Sequence, residues 1–352
     1  MSHKRALVLG CGVAGLTAAQ LLSGRGWTVD CAAGTPGPGP VVVIGWPDAR
    51  LLLELWQTDE ALFKSAHRLQ GRVVHWEPGP APSLSPAPAL VMPIDDLTRI
   101  LADRVGAAGA CLVDAARVET TGYDWVIQAG GRGATAQASI DFGRRCGAAA
   151  PVRLAPCAHT DRTVMESVAG GWLFVIPQGL GRGTLQAVFC DPLGDPAVDL
   201  QALLSQSRAV SALIEEIAGR PIGFAAMPRL APAPCVAGSI AVGDAALALD
   251  PMSGGGIASG LRSAILATAV LDAAEREGIS PACFEHYAQR LRDVMRSHVR
   301  SCIELYGRAV NAMAWRAEIR AMVEALQRLP TAGAAPAFML NHGRLDRVAH
   351  AN

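Results

Sequence analysis

A glycine pattern near the N-terminus constrains the fold more than any other feature of this sequence. The apolar run Ala6–Leu9 predicts a buried strand, which is followed directly by Gly10-Cys-Gly-Val-Ala-Gly15 and a helical pattern at Leu16–Leu22. In the spacing G-x-G-x-x-G, the first glycine makes a tight turn, the second admits a pyrophosphate and the third lets the helix pack on the strand. The pattern therefore predicts an α/β fold with a dinucleotide site at its first turn.

A second glycine-rich loop lies late in the chain. Ile240–Val242 is typical of a short buried strand, Gly243-Asp244 makes a turn, and Asp250-Pro251 precedes the glycines Gly254–Gly256. From Ile257 onward, apolar residues recur at helical spacing. A glycine-rich loop that opens a helix directs backbone N–H groups and the positive end of the helix dipole at one point, which favours an anion or a ring that becomes anionic. The alternative is a plain strand–loop–helix connection.

Together the two loops resemble the FAD-binding fold of the aromatic hydroxylases and flavin-dependent halogenases, the tryptophan-halogenase-like superfamily. The sequence is most similar to its compact branch, which includes flavoproteins that hydroxylate a protein tryptophan during quinone-cofactor maturation. The resemblance implies an α/β fold: a Rossmann-like FAD-binding domain of the aromatic-hydroxylase type, an inserted antiparallel substrate sheet and a helical C-terminus. It also implies that Asp244 binds the ribityl chain and that the following loop covers the pyrimidine side of the flavin.

The resemblance implies a larger set of site residues around these loops and the neighbouring strand ends. The cofactor-binding residues are Gly10, Gly12, Val13, Ala14, Gly15, Ala33, Gly45, Val118, Ala129, Gly130, Gly243, Asp244, Pro251, Gly254, Gly255, Gly256 and Ile257. The substrate-pocket residues are Trp46, Trp172, Phe174, Pro177, Met252 and Ser253. No catalytic side chain is identified. No metal site is expected, since the eight histidines form no metal-like or triad-like pattern.

Two acidic residues of the family pattern are missing. The acid that holds the adenosine ribose should end the second strand, near Ala33, about twenty residues beyond the glycine turn. Asp30 comes too early in that strand and faces elsewhere, given the period of two. At the end of the run Tyr123–Ala129, Gln128 stands where the family has its second acid. The next two residues of the family pattern, glycine and arginine, are present as Gly131-Arg132. FAD is therefore expected to bind weakly.

The segment Phe63–Trp76 is similar to the halogenase segment that carries the catalytic lysine. Counting from its two ends places Arg68 or Arg72 at the lysine position. An arginine stays charged and cannot act as the halogen-handling amine. Halogenation is therefore not expected.

The region Asp161–Asp191 resembles the family's substrate-domain sheet, because it predicts three antiparallel strands joined by glycine-containing turns. The sequence Trp172-x-Phe174-x-Ile176-Pro177 places two aromatic rings on one face of a strand. It is a degenerate form of the halogenase pattern W-x-W-x-I-P, which implies an aromatic wall over the flavin. The alternative is a half-buried core face.

Other patterns predict the remaining elements. Ile44–Pro47 is interpreted as a turn that lines the flavin, with an ordinary proline-started helix as the alternative. The further predicted elements are loops at Thr35–Pro40 and Pro78–Pro88, strands at Ala110–Val113 and Tyr123–Ala129, and helices at Asp95–Ala108, Asp199–Ala218 and 282–328.

Composition narrows the class of protein. The chain has 352 residues, with Lys+Arg and Asp+Glu balanced at 31 each, so neither nucleic acid nor a membrane is expected as a partner. Nine cysteines without a C-x-x-C motif are typical of free thiols in a reducing cytoplasm. The predicted domains are an FAD-binding domain (1–135 and 235–280), a substrate domain (136–234), C-terminal helices (281–330) and a poorly ordered tail (331–352).

The function that the resemblance implies is that of a cytoplasmic FAD-dependent oxidoreductase, a monooxygenase. It would hydroxylate an electron-rich indole or phenol through a flavin C4a-hydroperoxide. The substrate would be an aromatic small molecule, a biosynthetic intermediate or a tryptophan of a partner protein, and NAD(P)H or a separate flavin reductase would supply electrons. Two alternatives remain: a flavin oxidoreductase that never oxygenates, and a flavin-poor relative that binds a partner.

Overall fold

The described residues form two large sheets, two small sheets and seven α-helices. A computed structural model describes residues 4–34, 41–79, 81–133, 139–192, 194–277, 281–330 and 338–348. The loop predicted at Thr35–Pro40 lies outside these residues. The helices of the described ranges are α1 (Val13–Ser23), α2 (Trp46–Leu55), α3 (Ile94–Ala107), α4 (Pro196–Leu204), α5 (Gly256–Glu277), α6 (Pro281–Gly307) and α7 (Arg316–Arg328).

The strands of the same ranges belong to four sheets. In chain order they are β1 (Arg5–Leu9), β2 (Thr28–Ala33), β3 (Val41–Gly45), β4 (His67–His75), β5 (Ser83–Pro93), β6 (Cys111–Asp114), β7 (Trp125–Gln128), β8 (Ile140–Asp141), β9 (Cys146–Leu154), β10 (Arg162–Val168), β11 (Gly171–Gly179), β12 (Arg182–Phe189), β13 (Ile214–Ile217), β14 (Ile222–Ala225), β15 (Arg229–Leu230), β16 (Cys235–Val236), β17 (Ser239–Ala241), β18 (Leu247–Ala248), β19 (Phe338–Asn341) and β20 (Arg344–Arg347).

The first sheet has the strand order β16-β17-β7-β1-β2-β6. All its pairs are parallel except that of β16 with β17. Its centre is apolar, since Ala6, Leu7 and Val8 of β1 are fully buried. Strands from the start of the chain and from beyond residue 234 thus form one α/β layer, which confirms the predicted fold class.

The second sheet has nine strands, in the order β13-β9-β12-β11-β10-β4-β5-β3, with β14 also paired to β9. Strands β10, β11 and β12 are the three antiparallel strands predicted for Asp161–Asp191. The sheet also takes β3, β4 and β5 from residues 41–93, which the predicted boundaries place in the FAD-binding domain. The boundary at residue 136 remains a prediction, and this sheet crosses it.

The predicted loop Pro78–Pro88 is wrong from Ser83 onward, where strand β5 begins. Strand β4 pairs with β5 along most of its length, but β3 pairs only with Ala89–Pro93. Pro86 therefore lies where β5 pairs with β4 alone, and Pro88 lies at the irregularity in that pairing. Both kinds of position tolerate a residue without an N–H. The prolines predicted a loop, because the sequence alone does not show which part of a strand lacks a neighbouring strand on one side.

The helix predicted at Asp199–Ala218 is also too long, because α4 ends at Leu204. The buried carboxylate of Glu166 accepts hydrogen bonds from the Ser207 hydroxyl and from the backbone N–H groups of 208–210. Burial acts against the charged form, but these bonds outweigh it and lower the pKa of Glu166. A carboxylate from a distant strand thus organises a loop here.

The C-terminal region contains the long helices that were predicted, separated by a break at 308–315. The tail is ordered where it is described: β19 and β20 form a hairpin, and Phe338 and Leu345 are buried. Phe338 lies edge-on to His286 with ring centroids 5.6 Å apart. The tail prediction failed for 338–348 because its Ala/Gly-rich composition hid these two apolar anchors.

Helix α5 is the one described helix that is long and apolar enough to cross a membrane, over Gly256–Arg276, and 67% of that window is buried inside the fold. It packs against α1. Its apolar composition is accounted for by this burial in the core.

Candidate functional site

A cleft of about 540 Å³ lies where the glycine loops of the first sheet meet one face of the second sheet. One wall comes from the starts of α1 and α5 and from the turns after β7 and β17. The other wall comes from β3, β4, β11 and β12. The described lining residues are Gly12, Val13, Ala14, Val41, Val42, Val43, Arg72, Ile94, Ala129, Gly131, Phe174, Ile176, Gln186, Gly243, Asp244, Pro251, Met252, Gly254, Gly256, Ile257 and Gly260.

The first glycine turn has the geometry that its spacing predicts. Gly10 has a φ of 118°, and a Cβ there would lie 2.5 Å from the carbonyl oxygen of Ala129. A Cβ on Gly15 would lie 2.1 Å from the carbonyl oxygen of Gly10. Gly12 is different, since no atom lies within 4 Å of its Cβ position and its backbone lines the cleft. Gly10 and Gly15 therefore allow close packing, whereas Gly12 leaves room for a ligand.

The second glycine loop brings another helix start to the same cleft. Gly243 and Gly254 have φ values of 61° and 62°, in the left-handed region that favours glycine. A Cβ on Gly243 would lie 2.8 Å from the Cβ of Ala14, so the turn after β17 packs directly on the start of α1. The N-termini of α1 and α5 therefore face one cleft, and helix N-termini favour negative charge.

Asp244 is held in the cleft wall by Arg132. Its carboxylate lies 3.4 Å from the guanidinium of Arg132, and its side chain is 38% exposed. Arg132 also donates to the carbonyl of Met227 (2.8 Å) and to that of Leu249. Burial raises the pKa of Asp244, and Arg132 offsets part of this effect. The carboxylate is thus oriented by a cation that the backbone fixes.

The end of β2 carries no acid. Ala33 is its last residue, and the carboxylate of Asp30 accepts a 2.6 Å hydrogen bond from the Tyr123 hydroxyl. Arg5 lies 3.5 Å from the same carboxylate. The side chain of Asp30 is therefore engaged away from the glycine turn, as the strand period predicts.

The structure brings twelve of the predicted site residues together and leaves eleven outside the lining set. Those that line the cleft are Gly12, Val13, Ala14, Ala129, Phe174, Gly243, Asp244, Pro251, Met252, Gly254, Gly256 and Ile257. Those that do not are Gly10, Gly15, Ala33, Gly45, Trp46, Val118, Gly130, Trp172, Pro177, Ser253 and Gly255. Gly10 and Gly15 act in packing, as described above, and Val118 follows the short turn after β6.

The aromatic pair of β11 is divided between the core and the cleft. Trp172 is fully buried, and its Nε1 donates to the hydroxyl of Tyr306 at 3.2 Å. Phe174 lies two residues further along the same face and lines the cleft together with Ile176. Trp172 therefore belongs to the core, as the alternative holds, whereas Phe174 is buried and also contributes to the cleft wall. That this wall covers a flavin remains a prediction.

Three other predicted positions build local structure instead of lining the cleft. Gly45 precedes α2, which begins at Trp46 with Pro47 in its first turn, so this segment is the proline-started helix. The lining residues nearby are Val41–Val43 of β3. Ser253 donates to the carbonyl of Asp250 (2.8 Å) and accepts from the N–H of Gly255 (3.2 Å).

A buried charge cluster lies behind the second glycine loop. Arg145 donates to the carboxylates of Asp250 (2.9 Å) and Glu318 (2.8 Å), and its side chain and that of Asp250 are wholly buried. Burial opposes the charge, but Asp250 and Glu318 raise the pKa of Arg145. The hydroxyl of Tyr306 also donates to Asp250 at 3.0 Å. The cluster connects the loop Asp250–Gly256 to helices α6 and α7.

Sequence reasoning missed this cluster and two polar residues on the sheet side of the cleft, Arg72 and Gln186. Arg72 was considered only as a replacement for a lysine, and Gln186 was not considered. Gln186 belongs to no motif, and the segment that contains Arg72 does not show that this side chain lines the cleft. Both residues reach the cleft through strand pairing between distant segments. Among the described residues, no group of three or more His, Cys, Asp or Glu side chains could hold a metal ion.

Comparison with known proteins shows which solved structures share this fold. No protein-family model and no curated protein matches the chain. Among solved structures, QhpG, a peptidyl tryptophan dihydroxylase essential for tryptophylquinone cofactor biogenesis, has a TM-score of 0.78 at 22% identity, covering 99% of this chain and 86% of that one. The chain has the fold of the flavin-dependent halogenases and of this hydroxylase.

Two halogenases support the same assignment. CmlS, a flavin-dependent halogenase, has a TM-score of 0.79 at 16% identity, covering 93% of this chain and 70% of that one. The myxobacterial chondrochloren halogenase CndH has a TM-score of 0.76 at 15% identity, covering 91% and 86%. The fold implied by the two glycine loops is therefore confirmed.

Proposed function

We propose that the protein is an FAD-dependent monooxygenase that hydroxylates an electron-rich aromatic substrate. The observation that carries this proposal is the meeting of two helix N-termini and the carboxylate of Asp244 in one cleft whose opposite wall is largely apolar. A dinucleotide with a redox-active ring would use each part of this arrangement. The flavin-dependent structures that share the fold support the choice of FAD.

Each part of the cofactor has a matching group. The backbone at Gly12–Ala14 would hold the pyrophosphate, because the Cβ position of Gly12 is open and α1 begins there. Asp244, oriented by Arg132, would accept hydrogen bonds from the ribityl hydroxyls. The start of α5 at Gly256-Ile257 would face the pyrimidine side of the ring. When bound and reduced, FAD would supply the activation of dioxygen.

The chain's own contribution is positioning and exclusion of water. Phe174, Ile176 and Met252 give the cleft an apolar surface against which an aromatic ring would pack. N–H groups at the start of α5 would stabilise negative charge that develops on the cofactor, without any reorganisation of solvent. This proposal requires no acid or base side chain, and we assign none.

The lysine content favours hydroxylation over halogenation. The chain contains only two lysines, Lys4 and Lys64. Lys4 pairs with Glu275 at 2.6 Å, Lys64 is exposed, and neither lines the cleft. We propose an indole or phenol as substrate, free or as a tryptophan of a partner protein, since QhpG is described as acting on a peptidyl tryptophan. NAD(P)H or a flavin reductase would supply electrons in the cytoplasm.

The first test is FAD binding, measured by titration of the flavin absorbance and fluorescence. Asp244→Ala should weaken FAD binding by about tenfold to a hundredfold, because a charged hydrogen bond is worth roughly 1.5–3 kcal/mol. The matched control is Asp103→Ala, which removes an exposed carboxylate on α3. If Asp244→Ala bound FAD as tightly as the wild type, the proposed contact between Asp244 and the ribityl chain would be wrong.

The second test is the product. Reduced FAD, dioxygen and an indole or phenol should give a product that gains one oxygen atom by mass, and added bromide or chloride should give no halogen isotope pattern. Consumption of NADPH with no oxygenated product would favour an oxidoreductase that never oxygenates. A colourless protein that takes up no added FAD would favour the partner-binding alternative.

A further inference from the structure

Arg72, in the middle of strand β4, carries a positive charge that the described residues do not neutralise. Its side chain lines the cleft, and its Nη2 lies 3.8 Å from where a Cβ on Gly254 would be. Its Nε is enclosed and lacks a hydrogen-bond partner, and Arg72 forms no ion pair within the described part of the chain.

Two other enclosed arginines of the cleft region have carboxylate partners. Arg132 lies beside Asp244, and Arg145 lies between Asp250 and Glu318. Among the described residues that line the cleft, Asp244 is the only carboxylate, and it is already paired with Arg132 at 3.4 Å. The counterion of Arg72 is therefore not supplied by the described lining of the cleft.

The surroundings make an unpaired cation costly. Phe174, Ile176 and Met252 line the same cleft, and burial lowers the pKa of Arg72. An arginine nevertheless stays protonated in proteins, so the charge persists. Arg72 is half-buried. A charge withdrawn from water in this way is destabilising unless a group of opposite sign pairs with it.

We propose that the substrate is an aromatic acid, whose carboxylate pairs with Arg72 while its ring packs against Phe174. This inference rests on the proposed function and names the substrate class. The guanidinium presents a planar fork that matches a carboxylate in two parallel hydrogen bonds. Gln186, paired with Phe174 across strands β11 and β12, lines the same wall and offers a further amide donor.

The experiment compares acids with their uncharged amides on FAD-loaded protein by titration calorimetry. The probes are indole-3-acetate with indole-3-acetamide, and 4-hydroxyphenylacetate with 4-hydroxyphenylacetamide. At least one acid should bind about tenfold to a hundredfold more tightly than its amide, the range for a charged hydrogen bond. Arg72→Gln should remove the preference, and Arg72→Lys should keep part of it.

The matched control is Arg68→Gln. Arg68 lies on the same strand, but its side chain is 57% exposed and pairs with Glu60 at 3.1 Å. This variant should keep the full preference for the acid. Each variant is also titrated with FAD, because a role of Arg72 toward the cofactor would appear as weaker FAD binding. We expect the FAD affinity of Arg72→Gln to match that of the wild type.

The inference is overturned if no acid binds wild-type protein more tightly than its amide, a result that needs no variant to fold. It is also overturned if Arg72→Gln still binds the acid more tightly than the amide, whether or not this variant binds FAD less tightly than the wild type. If wild-type protein binds no FAD, the proposed function fails. The acid and amide titrations of the FAD-free protein then decide separately whether Arg72 selects an anion.

Discussion

The two walls of the cleft are built in different ways. The wall from the first sheet depends on glycine: Gly10, Gly15 and Gly243 bring two helix starts together, and a Cβ at any of these three positions would lie within 3 Å of another atom. The wall from the second sheet is made of side chains, which β3, β4, β11 and β12 contribute from separate parts of the chain. A wall that depends on glycines can be predicted from their spacing in the sequence. A wall of side chains from separate strands can be predicted only when the pairing of those strands is known. Four experiments test or refine this comparison.

The largest expected effect separates two glycines of one turn. Gly15→Ala should destabilise the protein by about 4 kcal/mol, because its methyl group would lie 2.1 Å from a backbone oxygen that cannot move freely. Gly12→Ala should leave stability nearly unchanged, since its φ is −76° and no atom lies within 4 Å. It should instead weaken FAD binding, because the methyl group would enter the cleft.

Urea unfolding and FAD titration of the two variants give the answer. The backbone account of this wall would be wrong if Gly12→Ala lost more stability than Gly15→Ala, or if Gly12→Ala bound FAD as the wild type does.

The next effect concerns the charge cluster behind the second loop. Glu318→Gln should lower the free energy of unfolding by about 3 kcal/mol, because it removes one of the two carboxylates that pair with Arg145 in a buried site. The control Glu304→Gln removes an exposed partner of Arg308 on α6 and should change stability little. Equal urea midpoints for Glu318→Gln and Glu304→Gln would contradict the importance of the cluster.

A smaller effect depends on pH. The Nε2 of His298 accepts a 2.8 Å hydrogen bond from the N–H of Asp250, and burial lowers the pKa of His298. Below about pH 6.5 the unfolded state binds more protons than the folded state, so stability is complete above that pH and declines as the pH falls. His298→Gln keeps an acceptor and should reduce the decline.

Urea midpoints at pH 7.5 and pH 5.5 measure this decline. Part of it should remain in His298→Gln, because burial also lowers the pKa of His286. The control is His159→Gln, which alters an exposed ring and should keep the wild-type decline. A full decline in His298→Gln would show that the histidine is not titrating against the loop.

The smallest effect is a gain. Ala33→Glu places a carboxylate at the carboxyl end of β2, where the ribose of a bound dinucleotide is expected. It should tighten FAD binding several-fold, whereas the neutral control Ala33→Gln should not. Wild-type protein that keeps stoichiometric FAD through dialysis would contradict the weak binding expected from the missing acid. Weaker binding by Ala33→Glu would mean that Ala33 packs against the adenine.

These differences explain how far the sequence could predict the structure. Gly10–Gly15 and strands β10–β12 were predictable because their periods and turns are local. Arg72 reaches the cleft only because β4 pairs in parallel with β10, where Arg72 lies opposite Thr163. No local pattern contains that pairing. Trp172 was predicted to line the pocket because it lies on the same face of the strand as Phe174. In the structure it is buried in the core, where it donates a hydrogen bond to Tyr306, a residue 134 positions away in the chain.

The cluster of Arg145, Asp250 and Glu318 also has a consequence for synthesis of the protein. A ribosome releases the chain from its N-terminus, so the first glycine turn emerges early and Glu318 of α7 emerges late. Asp250 gains the Tyr306 hydroxyl only when α6 has left the exit tunnel, and Arg145 gains its second carboxylate, Glu318, only when α7 has left it. A nascent chain that stops before Glu318 therefore displays the glycine turn Gly10–Gly15 while the buried charge cluster is still unfinished. Completion of the cluster behind the second glycine loop is thereby a late event, after nearly the whole described chain has been translated.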